Sequence, residues 1–235
     1  MTAAEILMQL ESLGQPSIKK VLLKHDIKEP LYGVKIEELK KIQKVTKQDN
    51  ELALQLYATG VYDAMYLAGL IAESEKMQKH DLQLWAAQAH SPALREYTVA
   101  WVAAESRYGM ELATEWIDAD GDNLVDIGWA TLSSIVAITD DAALDIPLLK
   151  KLLVKIPGTI HTSPNRVKQA MNGFVISTAI YVPELTALAR ATAEQVGKVK
   201  VDMGDTACKV PDALDHIAKG LARNSTGKKK KSARC

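Results

Sequence analysis

Apolar positions recur along this chain at intervals of three and four. Between Ile36 and Leu56, the residues Leu39, Ile42, Val45, Leu52 and Leu56 share one stripe while lysines occupy the other faces, as in an amphipathic helix. Similar stripes predict helices over 2–13, 16–25, 36–47, 49–58, 62–75, 79–89, 92–106, 109–117, 122–138, 146–155, 164–181, 183–196 and 211–223, joined by short links of Gly, Pro, Asp or Ser. Period-two alternation is confined to Lys198–Met203, KVKVDM, and predicts a short extended segment. Ser91-Pro92 and Ser163-Pro164 mark two helix starts, where the fixed φ and missing donor of proline do no harm. Between Tyr62 and Ile180 the helices pair at a spacing of about 30 to 40 residues, the period of stacked helix-pair repeats. The expected fold is all-α, with one face of each pair buried on its neighbours and another lining a concave surface suited to extended partners.

Composition permits such a core: of 235 residues, 47% are hydrophobic and 25% charged. Apolar runs such as Ile127–Leu132 stop well short of the roughly 18 residues a spanning helix needs, so no membrane is expected. The N-terminal MTAAEILMQLESLG carries no secretory pattern, which makes the cytoplasm the expected compartment. Cys208 and Cys235 are then expected as free thiols, without the clustered ligands of a zinc site. The acidic run Asp118–Asp126 lacks the closing glutamate of a calcium loop and reads as a loop with Asp122 or Asn123 capping the next helix. Neither a Gly-rich phosphate loop nor a G-x-S-x-G elbow is present, which argues against nucleotide-driven or serine-hydrolase chemistry. No metal or cofactor is expected.

The net charge of zero conceals segregation. Nine lysines lie between Lys19 and Lys47, and Lys228–Lys231 with Arg234 make the C-terminus basic. From Glu111 to Asp145 there are nine acidic residues and no Lys or Arg. Residues 224–235, with no apolar anchor, are expected to form a flexible basic tail after a single domain spanning 1–223. Glu96 reads as a surface acid, His80, His90 and His216 as structural, and Trp85, Trp101 and Trp116 as core.

Three motifs, in order, carry a family resemblance. Leu31–Ile42 (LYGVKIEELKKI) resembles the (F/Y)-G-V-x-x-x-x-L-R/K-K element of the DNA alkylation repair family, the HEAT-like-repeat alkylpurine DNA glycosylases. Asp122–Asp126 (DNLVD) is similar to its W-x-x-V-D element, and Lys168–Val175 (KQAMNGFV) to its K-A-I-G-W-V segment. The resemblance runs over about 15–185. It implies HEAT-like helix-pair repeats in a curved α-α superhelix, binding double-stranded DNA on a basic concave face and excising cationic N3- or N7-alkylated purines. Alkylation makes the purine a good leaving group, so a carboxylate beside the developing sugar cation suffices.

Carried over by position, Asp126 takes the place of the catalytic aspartate. Phe174 stands where the family has a tryptophan, Asp122 where it has another, and Arg166 is the only guanidinium between Asp126 and Gly173. Trp129, about 60° around an ideal helix from Asp126, is a candidate replacement for stacking. Arg166 and Lys168 open a helix whose positive end suits a phosphate, and Lys35 and His161 are further DNA-contact candidates. A second reading, motivated by position 122, is a catalytically silent member binding DNA through the same surface. A third is a protein partner for the acidic middle.

Overall fold

A computed structural model describes residues 1–202, 206, 208–223 and 227–234. Its α-helices are α1 (Ala3–Leu13), α2 (Pro16–Lys24), α3 (Ile36–Thr46), α4 (Asn50–Ala58), α5 (Tyr62–Ile71), α6 (Lys79–Gln88), α7 (Ala100–Glu105), α8 (Gly109–Ile117), α9 (Asp122–Ile138), α10 (Ile146–Thr159), α11 (Asn165–Tyr181), α12 (Thr186–Val196) and α13 (Ala213–Arg223). The fold is all-α, as the apolar stripes predict. Among the described residues no strand forms, and Lys198–Asp202 is irregular; Met203, the end of the expected extended segment, lies outside them.

The chain divides into two compact units, Met1–Tyr108 with Arg234, and Gly109–Asp202 with Cys208–Ala233. The acidic stretch that begins at Glu111 starts just past this division.

The N-terminal unit centres on α5, whose ten residues are all buried, Asp63 included. A carboxylate survives there because it is satisfied: Asp63 accepts from the backbone N–H groups of Tyr32 (2.6 Å), Val34 (2.8 Å) and Gly33 (3.4 Å). Gly33 adopts φ +82°, and a Cβ there would sit 2.6 Å from the Lys19 nitrogen, so the turn admits only glycine. The helix expected over 92–106 is divided: Leu94–Val99 is a π-turn that runs into α7. A Cβ on Gly69 would meet Thr98 Cγ2 at 2.6 Å, so α5 and the π-turn approach almost backbone to backbone.

In the C-terminal unit α9 packs on α8 and α11, with Gly128 set against Ile117 and Ala113 where a Cβ would clash at 2.7 Å. Neither Asp122 nor Asn123 is the cap of α9; Gly121 holds that position with no side-chain bond, and Asp122 is a first-turn acid favoured by the helix end. Likewise Pro164, not Ser163, precedes α11, the Ser163 hydroxyl donating back to the Thr159 carbonyl.

The described part of the tail is tied down rather than mobile. Lys229 Nζ donates to the carbonyls of Val136 (3.0 Å) and Tyr181 (2.8 Å) at the ends of α9 and α11 and pairs with Asp141 at 2.8 Å. Arg234 donates to Leu70 O (3.2 Å) and Ala72 O (2.7 Å) at the end of α5 and pairs with Glu105 at 3.0 Å. Orphan carbonyls and the negative ends of helix dipoles supply the attraction that a count of apolar residues could not reveal. Burial holds the Arg234 guanidinium below its ordinary value, against the opposing pull of Glu105. Residues 224–226 and Cys235, part of the expected tail, lie outside the described residues; Cys208 is exposed. No single helix is long and apolar enough to cross a membrane.

Candidate nucleic-acid interface

The residues expected to handle a damaged nucleotide converge in the C-terminal unit. Asp126 and Trp129 lie on α9, Phe174 on the facing side of α11, and the Trp129 and Phe174 rings meet at 5.3 Å between centroids, inclined by 56°. The geometry is that of a packed aromatic pair, worth about 0.5–1.5 kcal/mol beyond area burial. Phe174 is fully buried, Trp129 is 4% exposed and Asp126 is 0% exposed. Neither ring offers a face to a nucleotide, which corrects the expectation that both contact DNA: apolar packing between α9 and α11 claims them. Position 122, where the resemblance calls for a tryptophan, presents an exposed aspartate instead.

The cationic candidates are accessible but scattered. Arg166 and Lys168, both half-buried, lie at the start of α11, with Arg166 Nη1 donating to Gln169 Oε1 at 3.3 Å. His161 is exposed, and its Nε2 donates to the Val196 carbonyl at 2.9 Å, so that nitrogen positions the loop rather than reaching for a phosphate. Lys35 belongs to the N-terminal unit, exposed at the start of α3 and 3.9 Å from Glu37 Oε1, too long and too solvated a pair to hold it back from another anion.

Charge is segregated locally within the units, each of which carries similar numbers of both signs. In the N-terminal unit Lys20, Lys24, Lys28, Lys35, Lys41, Lys44 and Lys47 are all exposed. In the C-terminal unit the stretch 111–145 exposes Glu111, Glu115, Asp118, Asp120, Asp122, Asp140, Asp141 and Asp145. Only Asp126 of its acids is buried. A polyanion is drawn to the first surface and repelled by the second. Among the described residues no group of three or more His, Cys, Asp or Glu side chains is placed to hold a metal ion.

Chain similarity agrees with the architecture. Residues 6–189 match the family described as DNA alkylation repair enzyme. The chain belongs to that family. Its relatives include the uncharacterized protein Lmo0209 of Listeria monocytogenes, 33% identical with 93% of this chain and 96% of the relative covered. The uncharacterized protein Lin0241 of Listeria innocua is 32% identical, with 92% and 95% covered. A solved structure from a new family of proteins related to the HEAT-like repeat DNA glycosylases, with affinity for branched DNA structures, superimposes with a TM-score of 0.91 at 34% identity, covering all of both chains. Repeats of the HEAT-like type are therefore the fold of this DNA alkylation repair family member.

Residue spacing alone missed Asp63 and the aromatic residues around α5. A signal for Asp63 was present: it is the single charge in an otherwise apolar or aromatic ten-residue helix, and the Tyr-Gly-Val element supplies the donors it binds. That element of the resemblance thus has a structural use in this chain.

Proposed function

We propose that this DNA alkylation repair family member binds branched DNA through the basic surface of its N-terminal unit and does not excise bases. What carries the reading is accessibility: Asp126 is fully buried, while most of the lysines of 19–47 are exposed. A carboxylate that stabilises a sugar cation must lie beside that sugar, and one fully buried in the protein does not. The affinity of the similar structure for branched DNA supplies the ligand class. A DNA ligand is consistent with a cytoplasmic protein.

The test is a mobility-shift titration of a four-way junction and of linear duplex, across salt. Junction binding should exceed duplex binding by tenfold or more, and the logarithm of affinity should fall with log salt by about 0.9 for each phosphate contacted. Replacing Lys20, Lys24 and Lys28 by alanine should flatten that slope. Equal affinity for both substrates, or a slope unmoved by the substitutions, contradicts the reading.

A second reading is favoured by the burial itself. An aspartate at 0% exposure is rare, and this one stands at the position of the family's catalytic carboxylate, where opening of the α9–α11 contact would admit an alkylated nucleotide from double-stranded DNA. Release of free base from 7-methylguanine duplex, abolished by Asp126→Asn, is the result that would select it. The third reading, a protein partner on the acidic 111–145 surface, predicts that DNA affinity is absent or independent of salt.

A further inference from the structure

The N-terminal unit holds an aromatic cluster that none of the three sequence motifs includes. Tyr62 and Tyr66 lie on α5, Tyr97 on the π-turn and Trp101 on α7. Ring centroids are 6.2 Å apart for Tyr62–Tyr66, 6.0 Å for Tyr66–Trp101 in an edge-to-face arrangement, and 5.3 Å for Tyr97–Trp101. Three of the rings are buried, Tyr62 at 4%, Trp101 at 5% and Tyr66 at 8%, whereas Tyr97 is 41% exposed. The rings form a chain whose outermost member, Tyr97, packs on buried Trp101 and is partly exposed.

The backbone beneath Tyr97 is itself unusual. A π-turn widens the helix by one residue, disturbs the regular hydrogen-bond ladder and is frequent at functional sites. Here it is pinned on its inner side, where Thr98 fits against Gly69 and Arg95 is buried with its guanidinium on the Ala89 carbonyl. With those residues turned inward, Tyr97 points out.

A loop bearing Lys28 and Lys35 is tied to the elements that carry these rings. The Lys28 backbone N–H donates to Ser91 Oγ (2.9 Å) at the start of the π-turn segment, the Tyr62 N–H donates to Pro30 O (2.9 Å), and Asp63 holds residues 32–34. Lys28 pairs with Asp26 and Lys35 with Glu37, and both pairs are largely in water, so a phosphate can replace either carboxylate at little cost. An exposed aromatic ring on elements that also anchor a lysine-bearing loop is a combination suited to unpaired nucleotides, the ring taking the base and the cations the backbone.

We propose that Tyr97, supported by Trp101, Tyr66 and Tyr62, is the stacking platform for an unstacked base at a DNA branch point. The inference rests on the branched-DNA reading above and adds to it the feature that distinguishes a branch from plain duplex. In a linear duplex every base is stacked within the helix and Tyr97 gains no partner. At a branch the interrupted stack offers a base face.

The experiment compares wild type, Tyr97→Ala, Tyr97→Leu and Tyr97→Phe on a four-way junction and on linear duplex, with thermal midpoints recorded for each. Loss of one base stack corresponds to junction affinity weaker by roughly 5- to 100-fold in Tyr97→Ala and Tyr97→Leu. Tyr97→Phe should stay within about twofold of wild type, since a ring remains, and duplex affinity should not move. A 2-aminopurine at the branch should be quenched by wild type and by Tyr97→Phe, and not by Tyr97→Leu. If wild type prefers the junction and Tyr97→Leu does so equally, the platform is wrong while the branched-DNA reading stands. If wild type has no junction preference, both fall. If Tyr97→Ala lowers the midpoint by more than a few degrees, Tyr97→Leu, which retains apolar contact with Trp101, is the variant read.

Discussion

Both units seal an aromatic pair, Tyr57 on Trp85 in the N-terminal one and Trp129 on Phe174 in the C-terminal one, and a second N-terminal cluster differs from both. In the C-terminal unit Trp129 and Phe174 face each other across α9 and α11 and are sealed, with Asp126 buried on the same helix. In the N-terminal unit four rings run from the interior to the surface and the last, Tyr97, is 41% exposed. Asp126, Trp129 and Phe174, which the family resemblance marks, are thus buried, whereas Tyr97, outside its motifs, faces solvent. Motif position and accessibility are separate properties, and a ligand responds only to the second.

This contrast can be broken by substitution, beginning with the largest effects. Phe174→Ala should destabilise the protein by about 3–5 kcal/mol, as expected for emptying a packed aromatic site, with any change in DNA affinity explained by unfolding. Chemical denaturation followed by circular dichroism measures it; a stable variant with selectively weakened DNA binding would return Phe174 to the interface. Asp63→Ala leaves three loop N–H groups without their acceptor and should cost about 3 kcal/mol, or roughly 6–12 °C in thermal midpoint. Arg234→Ala should cost about 2 kcal/mol, since partly exposed Glu105 and two carbonyls at the end of α5 lose their donor. A midpoint unchanged by Arg234→Ala would mean that the C-terminal segment is loose in solution.

Alkaline pH sharpens the comparison, because both strongly shifted tyrosines are in the N-terminal unit. Burial raises Tyr57 and Tyr62 above the ordinary value of 10.0, with Tyr66, Asp63 and Tyr97 adding to the shift at Tyr62. The folded state then holds protons that the unfolded chain has lost, so the stabilisation is complete below pH 10 and declines as pH rises beyond it. Amide exchange between pH 9 and 11 should report growing exposure of α4 and α5 before α9 and α11. The smallest effect belongs to Tyr97→Ala, expected to change stability by less than about 1 kcal/mol at a position this exposed, while junction affinity falls.

Most of the helices were legible in the sequence, because apolar spacing records which face is buried regardless of what buries it. The exceptions have local causes. Period alone does not distinguish the π-turn at Leu94–Val99 from the α-helix expected there; the close approach of Gly69 to Thr98 that accompanies it is a tertiary fact. The basic C-terminus looked free because its anchors are helix-end carbonyls, which every sequence possesses and none displays. Asp126 was legible as a family position, but its depth was not: an acid near the start of an isolated helix is solvated, and only the packing of α9 on α8 and α11 turns it inward. Tyr97 and Trp101 could have been noticed as an i, i+4 aromatic pair, but nothing in the spacing says which ring stays in water.

The claim at the centre of this account is binding without excision, and one reaction tests both halves together. A four-way junction carrying 7-methylguanine is incubated with excess protein, the bound fraction is read from the gel and the released base from the same tube. The account predicts a retarded junction complex, at least tenfold tighter than linear duplex, with no free 7-methylguanine above the protein-free control. Base release that disappears in Asp126→Asn would contradict it and return the buried carboxylate to the chemistry of its family.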